Sequence, residues 1–555
     1  MPARRIPAVL VWLVPAAAAV LLYGRCVQFW WAGDELLYLR SVVLHTPAQY
    51  LFVPPVYREL SPRFFFPAVL LSFDLDHRLF GLSTGLFFAH QLLSLAAAAG
   101  LLALVARRFL PPLVAMTTGL LFLLGPPVPG VVAELMSRHY LDGLAAALGA
   151  TLLFVRFLED RRRGWLAGAV GLWFLAALCK EIFVPLPLVL VALPVATWRD
   201  RIRAAWPFAA GVGVYAIWRQ VMLSGALGGY EASSERISGV PERMSLLGKQ
   251  FVAVALGSQG TTGLVLAAAA LAACILTVVR RRKLYLAAAL LVAVAGPLLP
   301  VAERLEPRFG LLPWLLVSLL AGAALARGLA AAPAWRAAAS VSFLVLLLLA
   351  ASTSRHGWAG IVAQAARNRA EGEFFLRDSA AGDVLRRPLA DATFYSNLRW
   401  LRQEVLKGSG AGRVVYDDSF FCEGPPPDVR THTFLGADGG VRFVPSLEET
   451  ICTGWRARLR QAPLEVRITY DDPYLSWQMG PHATGTYWIL YGDALVPYPA
   501  GRSGNLRYPL DELSLRVKYE APDGGLVYSA PLRLLPKSGH AAVTWKAGGS
   551  SGGGT

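Results

Sequence analysis

The chain has 555 residues, 55% of them hydrophobic and 16% charged, and its mean hydropathy is +0.47. Soluble domains carry about a quarter charged residues, so this composition excludes an ordinary soluble globule and excludes disorder over most of the length. The net charge of +16 would suggest nucleic acid in a soluble protein. Here residues 1–359 hold 31 Lys/Arg against 16 Asp/Glu, and residues 360–555 hold 22 against 21, so the excess belongs to the apolar part.

Apolar stretches of about 20 residues predict membrane-spanning helices, because ~30 Å of hydrocarbon needs that length. About eleven are predicted, near 6–24, 84–106, 111–127, 139–157, 165–183, 184–197, 205–222, 261–279, 284–301, 309–329 and 335–353. The sixth is short enough to be re-entrant, and the first also fits a cleaved signal peptide. Placing Arg4 and Arg5 in the cytoplasm gives inner loops with 17 basic residues against Glu159, Asp160 and Asp200. That asymmetry predicts an integral plasma (inner) membrane protein with a cytoplasmic amino terminus and a periplasmic or extracellular carboxyl-terminal domain. It leaves little charge for a nucleic-acid partner to explain.

Ionisable residues near membrane depth are costly and need a reason. They fall on the predicted outer side. The first outer loop, 25–83, opens with Trp30 and Trp31, read as interface residues, and then Gly33, Asp34 and Glu35. Asp34 or Glu35 could take a proton from a hydroxyl, or the pair could simply favour a helix start. Arg63 follows, and then an amphipathic helix with Leu71, Leu75 and Leu79 every four residues, expected to lie in the interface. Arg138 and His139 precede the fourth span, Lys180 and Glu181 end the fifth, Arg219 ends the seventh, and Glu303, Arg304, Glu306 and Arg308 precede the tenth. Lys180 could meet a phosphate as a compact charge or pair with another helix.

Residues 356–407 read as a helical connector, 408–545 as a β-rich outer domain and 546–555 as a flexible tail, after a membrane domain over 1–355. Seven short β-favouring runs between 413 and 528 predict a sandwich. Cys422 and Cys452 would close a loop of about 30 residues as a disulfide in an oxidising compartment, or remain two thiols. Tyr474, Trp477, Tyr487, Trp488, Tyr491, Tyr498 and Tyr508 could stack on sugars or fill the core.

The order of Gly33-Asp34-Glu35, Leu79-Phe80-Gly81, Ser137-Arg138, Lys180-Glu181 before Pro185, Tyr215 before Arg219, and Arg308-Phe309 before Pro313 resembles the GT-C superfamily of membrane glycosyltransferases. The branch it looks most like is the protein O-mannosyltransferase-like one that carries tetratricopeptide repeats, with its bacterial relatives. The likeness covers about residues 5–350. The repeats are absent here, Gly130 stands where that branch has an acid, and Phe309 replaces a tyrosine. The resemblance implies transfer of a sugar from a polyprenyl-phosphate donor, embedded in the lipid bilayer, to an acceptor hydroxyl on a protein, lipid or glycan at the outer face. Asp34 would be the base, and Lys180, Arg138, Arg219 and Arg308 the candidate phosphate ligands.

One base and a remote cation suit displacement in one step, which inverts the anomeric carbon; a retaining enzyme needs a second carboxylate as nucleophile. No histidine-rich ligand set accompanies Asp34 and Glu35, so a divalent metal, though possible, is not expected to be essential. A transporter or flippase would instead show inverted repeats and midplane charges. A scaffold displaying the outer domain would make Asp34 dispensable.

Overall fold

The computed structural model describes residues 6–61, 64–224, 289–290, 292–294, 296–301, 306–379, 383–386, 392–408, 412–423, 430–434, 441–443, 447–471, 474–507, 513–534 and 540–546. Arg63, Glu303, Arg304, Tyr508, the span expected at 261–279, parts of that at 284–301 and the 547–555 tail lie outside the described residues. The chain forms two units, 1–365 and 366–555.

The first unit is helical and reads as a multi-pass membrane protein. Among the described residues five helical segments are long and apolar enough to cross a membrane: Ala8–Gln28, Thr84–Ala106, Leu135–Asp160, Arg308–Leu329 and Pro333–Asp378. The span expected at 111–127 is instead two helices, Pro112–Leu123 and Pro127–Ala133, bent by 64°. Pro126, Pro127 and Pro129 account for the break, since proline removes backbone donors and clashes with the preceding turn. The expected fifth span is a 17-residue helix ending at Cys179, and the sixth shrinks to Leu186–Ala192. The seventh lies inside the 26-residue helix Trp198–Leu223. Small residues let these helices approach closely. A Cβ on Gly100 would come within 2.5 Å of Trp12, and one on Gly143 within 2.3 Å of Phe183.

The first loop is itself structured. Three of its short helices, Pro47–Phe52, Pro54–Leu60 and Pro67–Phe80, start on proline, whose fixed φ suits the first helical position. Trp30 and Trp31 are buried, with Trp31 edge-on to Phe87 at 5.0 Å, so they pack the unit rather than face lipid. The leucine stripe is as expected: Leu71, Leu75 and Leu79 are exposed.

The second unit has three sheets rather than one sandwich. Strands β1 (Asp383–Arg386), β2 (Arg413–Val415), β3 (Arg430–Phe434) and β4 (Val441–Phe443) lie in the order β2-β1-β3-β4, with β1 parallel to both β2 and β3. The segment expected to be a helical connector thus also supplies the strand β1. The long helix Pro333–Glu373 runs on into its start.

The sandwich is built by two antiparallel sheets. One contains β7 (Thr486–Tyr491), β8 (Val496–Ala500), β10 (Leu513–Glu520), β11 (Leu526–Tyr528) and β12 (Leu532–Leu534). The other contains β5 (Glu465–Asp471), β6 (Tyr474–Gly480), β9 (Ser503–Arg507) and β13 (His540–Lys546). Period-2 burial, as in Val466, Ile468 and Tyr470, puts one face of each sheet into a shared core. Trp477 and Tyr487 belong to that core, and of the aromatics considered for sugar stacking only Tyr474 is exposed among the described residues. Cys422 and Cys452 form a disulfide between the Ser419–Cys422 and Leu447–Arg458 helices.

Candidate active site

The polar residues at one end of the helical unit form a connected set. Asp34 caps the Glu35–Leu44 helix; its carbonyl accepts from Leu37 and Tyr38, and its side chain is exposed. Gly33, at φ +68°, makes the turn into this helix, a conformation that favours glycine. Glu35 points the other way. It is fully buried, and its Oε1 accepts from the Leu135 backbone N–H at 3.0 Å. Burial pushes its carboxyl up to about 8, with Glu134 and Asp34 adding to the shift. The two adjacent acids therefore differ: Asp34 is exposed, whereas Glu35 is buried and holds the Leu135 backbone.

The Leu135 segment leads to Arg308. Glu134 accepts from Ser137 at 3.0 Å and from Arg308 at 3.1 Å through the same oxygen. Arg308 also pairs with Glu306 and contacts the Met136 sulfur at 3.5 Å. Arg219 is buried and donates to Glu181 at 2.9 Å; the same Glu181 oxygen accepts from the Phe65 backbone at 3.1 Å. Glu181 thereby ties the first loop to the end of the Trp198–Leu223 helix. Arg58 completes this tie by donating to the Met222 and Val221 carbonyls and to Ser224, where a cation meets the negative end of the helix.

Tyr57 fixes the loop from below, donating to the Phe64 carbonyl at 2.9 Å and accepting from the Phe66 N–H at 2.7 Å. The pinned Phe64–Phe66 stretch gives Lys180 its surroundings. The Lys180 ammonium lies 4.4 Å from the Phe64 ring centre, 5.6 Å from Phe66 and 5.9 Å from Tyr140. His139 stacks on Phe66 and touches Tyr140. Lys180 is buried, and it has no carboxylate within ion-pair distance among the described residues. Arg138 and Arg219 each have one, and Arg308 has two. A buried cation with no direct ion-pair partner among the described residues is costly, and aromatic faces offset only about 0.5–2 kcal/mol of that.

Arg138 stands apart from this cluster. It is fully buried and pairs with Asp76 at 2.5 Å on the Pro67–Phe80 helix. Sequence patterning singles out neither Asp76 nor Tyr57 for a role; Asp76 lies two residues from Asp74 on the helix expected to lie in the interface. Among the described residues no three His, Cys, Asp or Glu side chains are grouped to hold a metal ion.

No family model and no curated protein sequence matches the chain. Solved structures do. ArnT from Cupriavidus metallidurans in the apo state is 17% identical over 76% of this chain and 92% of its own, with a TM-score of 0.42. The same protein bound to undecaprenyl phosphate is 16% identical over 77% and 91%, with a TM-score of 0.40. The arabinosyltransferase EmbB from Mycobacterium smegmatis is 14% identical over 98% of this chain and 64% of its own, with a TM-score of 0.36. These similarities concern fold outline, and they assign no role to any residue here.

Proposed function

We propose that the chain is an inverting GT-C-type glycosyltransferase that moves a sugar from a polyprenyl-phosphate donor to an acceptor hydroxyl at the outer membrane face. The observation that carries this reading is Lys180: a buried ammonium among three aromatic rings, with no carboxylate within ion-pair distance among the described residues, where its cationic neighbours each have one or more. An anionic ligand supplies the missing charge. The donor phosphate is such a ligand, and its charge grows as the sugar leaves, so the cation acts where negative charge develops.

The acceptor hydroxyl gives up its proton to the exposed carboxylate of Asp34 as its oxygen attacks the anomeric carbon. The bond to the donor phosphate breaks in the same step, and the polyprenyl phosphate leaves against Lys180. Glu35 is sequestered against Leu135, so a second carboxylate nucleophile is not assigned. Arg308 and Arg219 are held by Glu134, Glu306 and Glu181, so their charge is already answered within the protein. The basic excess on one set of loops supports a cytoplasmic amino terminus and an outer 366–555 unit. No metal is proposed as essential.

The test is purified protein in lipid nanodiscs with radiolabelled polyprenyl-phosphate sugars and membrane extract as acceptor. Transfer with inverted anomeric configuration is the expected result. Retained configuration rejects the single displacement. Binding of polyprenyl phosphate with no transfer, together with its movement between leaflets, favours the transporter.

A further inference from the structure

A polar latch lies outside the cluster just described, under the Pro67–Phe80 helix. Arg138 donates through one terminal nitrogen to Asp76 at 2.5 Å and Ser72 at 3.2 Å, and through the other to the Phe87 carbonyl at 2.7 Å. Its guanidinium lies 4.8 Å from the Phe73 ring centre and 5.7 Å from that of Phe87. The second Asp76 oxygen faces His90 Nδ1 at 2.8 Å. Ser72 donates onward to Asp142 at 3.3 Å, and Ser94 donates to the other Asp142 oxygen at 2.5 Å. Ser72 and Asp76 are four residues apart, so they share one face of their helix.

The flank beside this stripe, one residue round the helix, exposes Leu71, Leu75 and Leu79. A helix that hides its acids and displays leucines is held to the protein by that buried polar face. Its first residue, Pro67, directly follows Phe64–Phe66, two of whose rings surround Lys180. His139, the neighbour of Arg138, stacks on Phe66 with ring centres 5.9 Å apart. The first turn of the Arg138–Asp160 helix therefore grips the loop helix near both its ends.

We propose that Arg138 is a positioning residue: it anchors Asp76 and Ser72, fixes the loop helix and so sets the aromatic cage around Lys180, without itself touching the donor. This rests on the functional reading above for what the cage binds. Serving three acceptors between two rings requires the planar fork of arginine, which a lysine lacks.

The experiment compares wild type, Arg138→Gln, Asp76→Asn, the double variant and Ser72→Ala in nanodiscs. Amide exchange across 64–80 and donor KM and kcat are the readouts. Arg138→Gln is expected to speed exchange in 64–80 by about tenfold or more while Arg163–Cys179 and Leu311–Leu329 keep their protection. Donor KM is expected to rise about tenfold with kcat within about threefold of wild type, and the double variant to be no worse than Arg138→Gln, as coupled partners behave. Should the charged-pair variants not fold, Ser72→Ala, which leaves the pair intact, shows the same local signature more weakly.

Unchanged exchange in 64–80 overturns the latch. A KM rise for Arg138→Gln that Asp76→Asn does not share, adding fully in the double variant, overturns it in favour of a direct donor contact. Normal KM and kcat in a less stable variant reduce Arg138 to a structural residue. If wild type neither binds nor uses a polyprenyl-phosphate donor, the functional reading fails, and the exchange measurement alone still decides the latch.

Discussion

The two ends of the helical unit use charge in opposite ways. At one end Arg108 meets Glu159 at 3.0 Å and Arg161 meets Asp200 at 3.0 Å, all with partly exposed side chains. Those arginines belong to short basic loops, and their pairs are surface contacts. At the other end Arg138 and Arg219 are buried, Arg308 answers two carboxylates, and Lys180 answers none among the described residues. Charges that cost this much to bury are kept for position or for a ligand. The exposed basic loops and the proposed active site thus lie at different ends of the unit.

Substitutions sharpen that contrast. The largest effect is expected for Asp34→Asn, where loss of a general base slows transfer by about 100- to 10,000-fold in a protein that still folds and binds donor. Activity assays beside a donor-binding assay separate the two. Next comes Arg219→Ala, which leaves Glu181 without its cation; breaking such a pair costs about 3 kcal/mol, read as a lowered thermal midpoint in detergent.

Glu35 gives a pH signature. Its carboxyl is raised to about 8 in the folded protein, against 4.5 ordinarily, so the folded state holds a proton that the unfolded state has lost between those values. Its contribution to stability is full below pH 4.5 and lost as pH rises through 8. Glu35→Gln should flatten that decline and melt higher than wild type at pH 9; an identical pH profile contradicts the burial. The smallest effect belongs to the opposite end. Glu159→Ala should cost ~1 kcal/mol or less and leave transfer unchanged, as exposed ion pairs do. A large loss of activity there would erase the contrast between the ends.

Much of this was legible in the sequence, for identifiable reasons. Apolar length located the helices at 84–106 and 309–329, and the four-residue leucine spacing located the loop helix and its exposed side. Residue order brought Asp34, Lys180, Glu181, Arg219 and Arg308 forward as candidates. Sequence could not divide labour among them. Asp34 and Glu35 look alike in a string and differ only in what the following helix turn points at. Arg138 looks like a phosphate ligand until Asp76, 62 positions earlier, lies against it. In the second unit, β1 sits in a segment of helix-forming residues and pairs in parallel across a long crossover, so no local pattern marks it. The burial of Trp477 and Tyr487 likewise depends on which face of the strand meets the second sheet.

The central claim is that Lys180 awaits the phosphate of a lipid-linked donor. Its most direct test is equilibrium binding of undecaprenyl phosphate to purified wild type, Lys180→Ala and Lys180→Arg in nanodiscs. The account predicts that Lys180→Ala weakens binding by about 100-fold, as loss of a charge-assisted contact does, and that Lys180→Arg restores part of it. Equal affinity in all three proteins would contradict it.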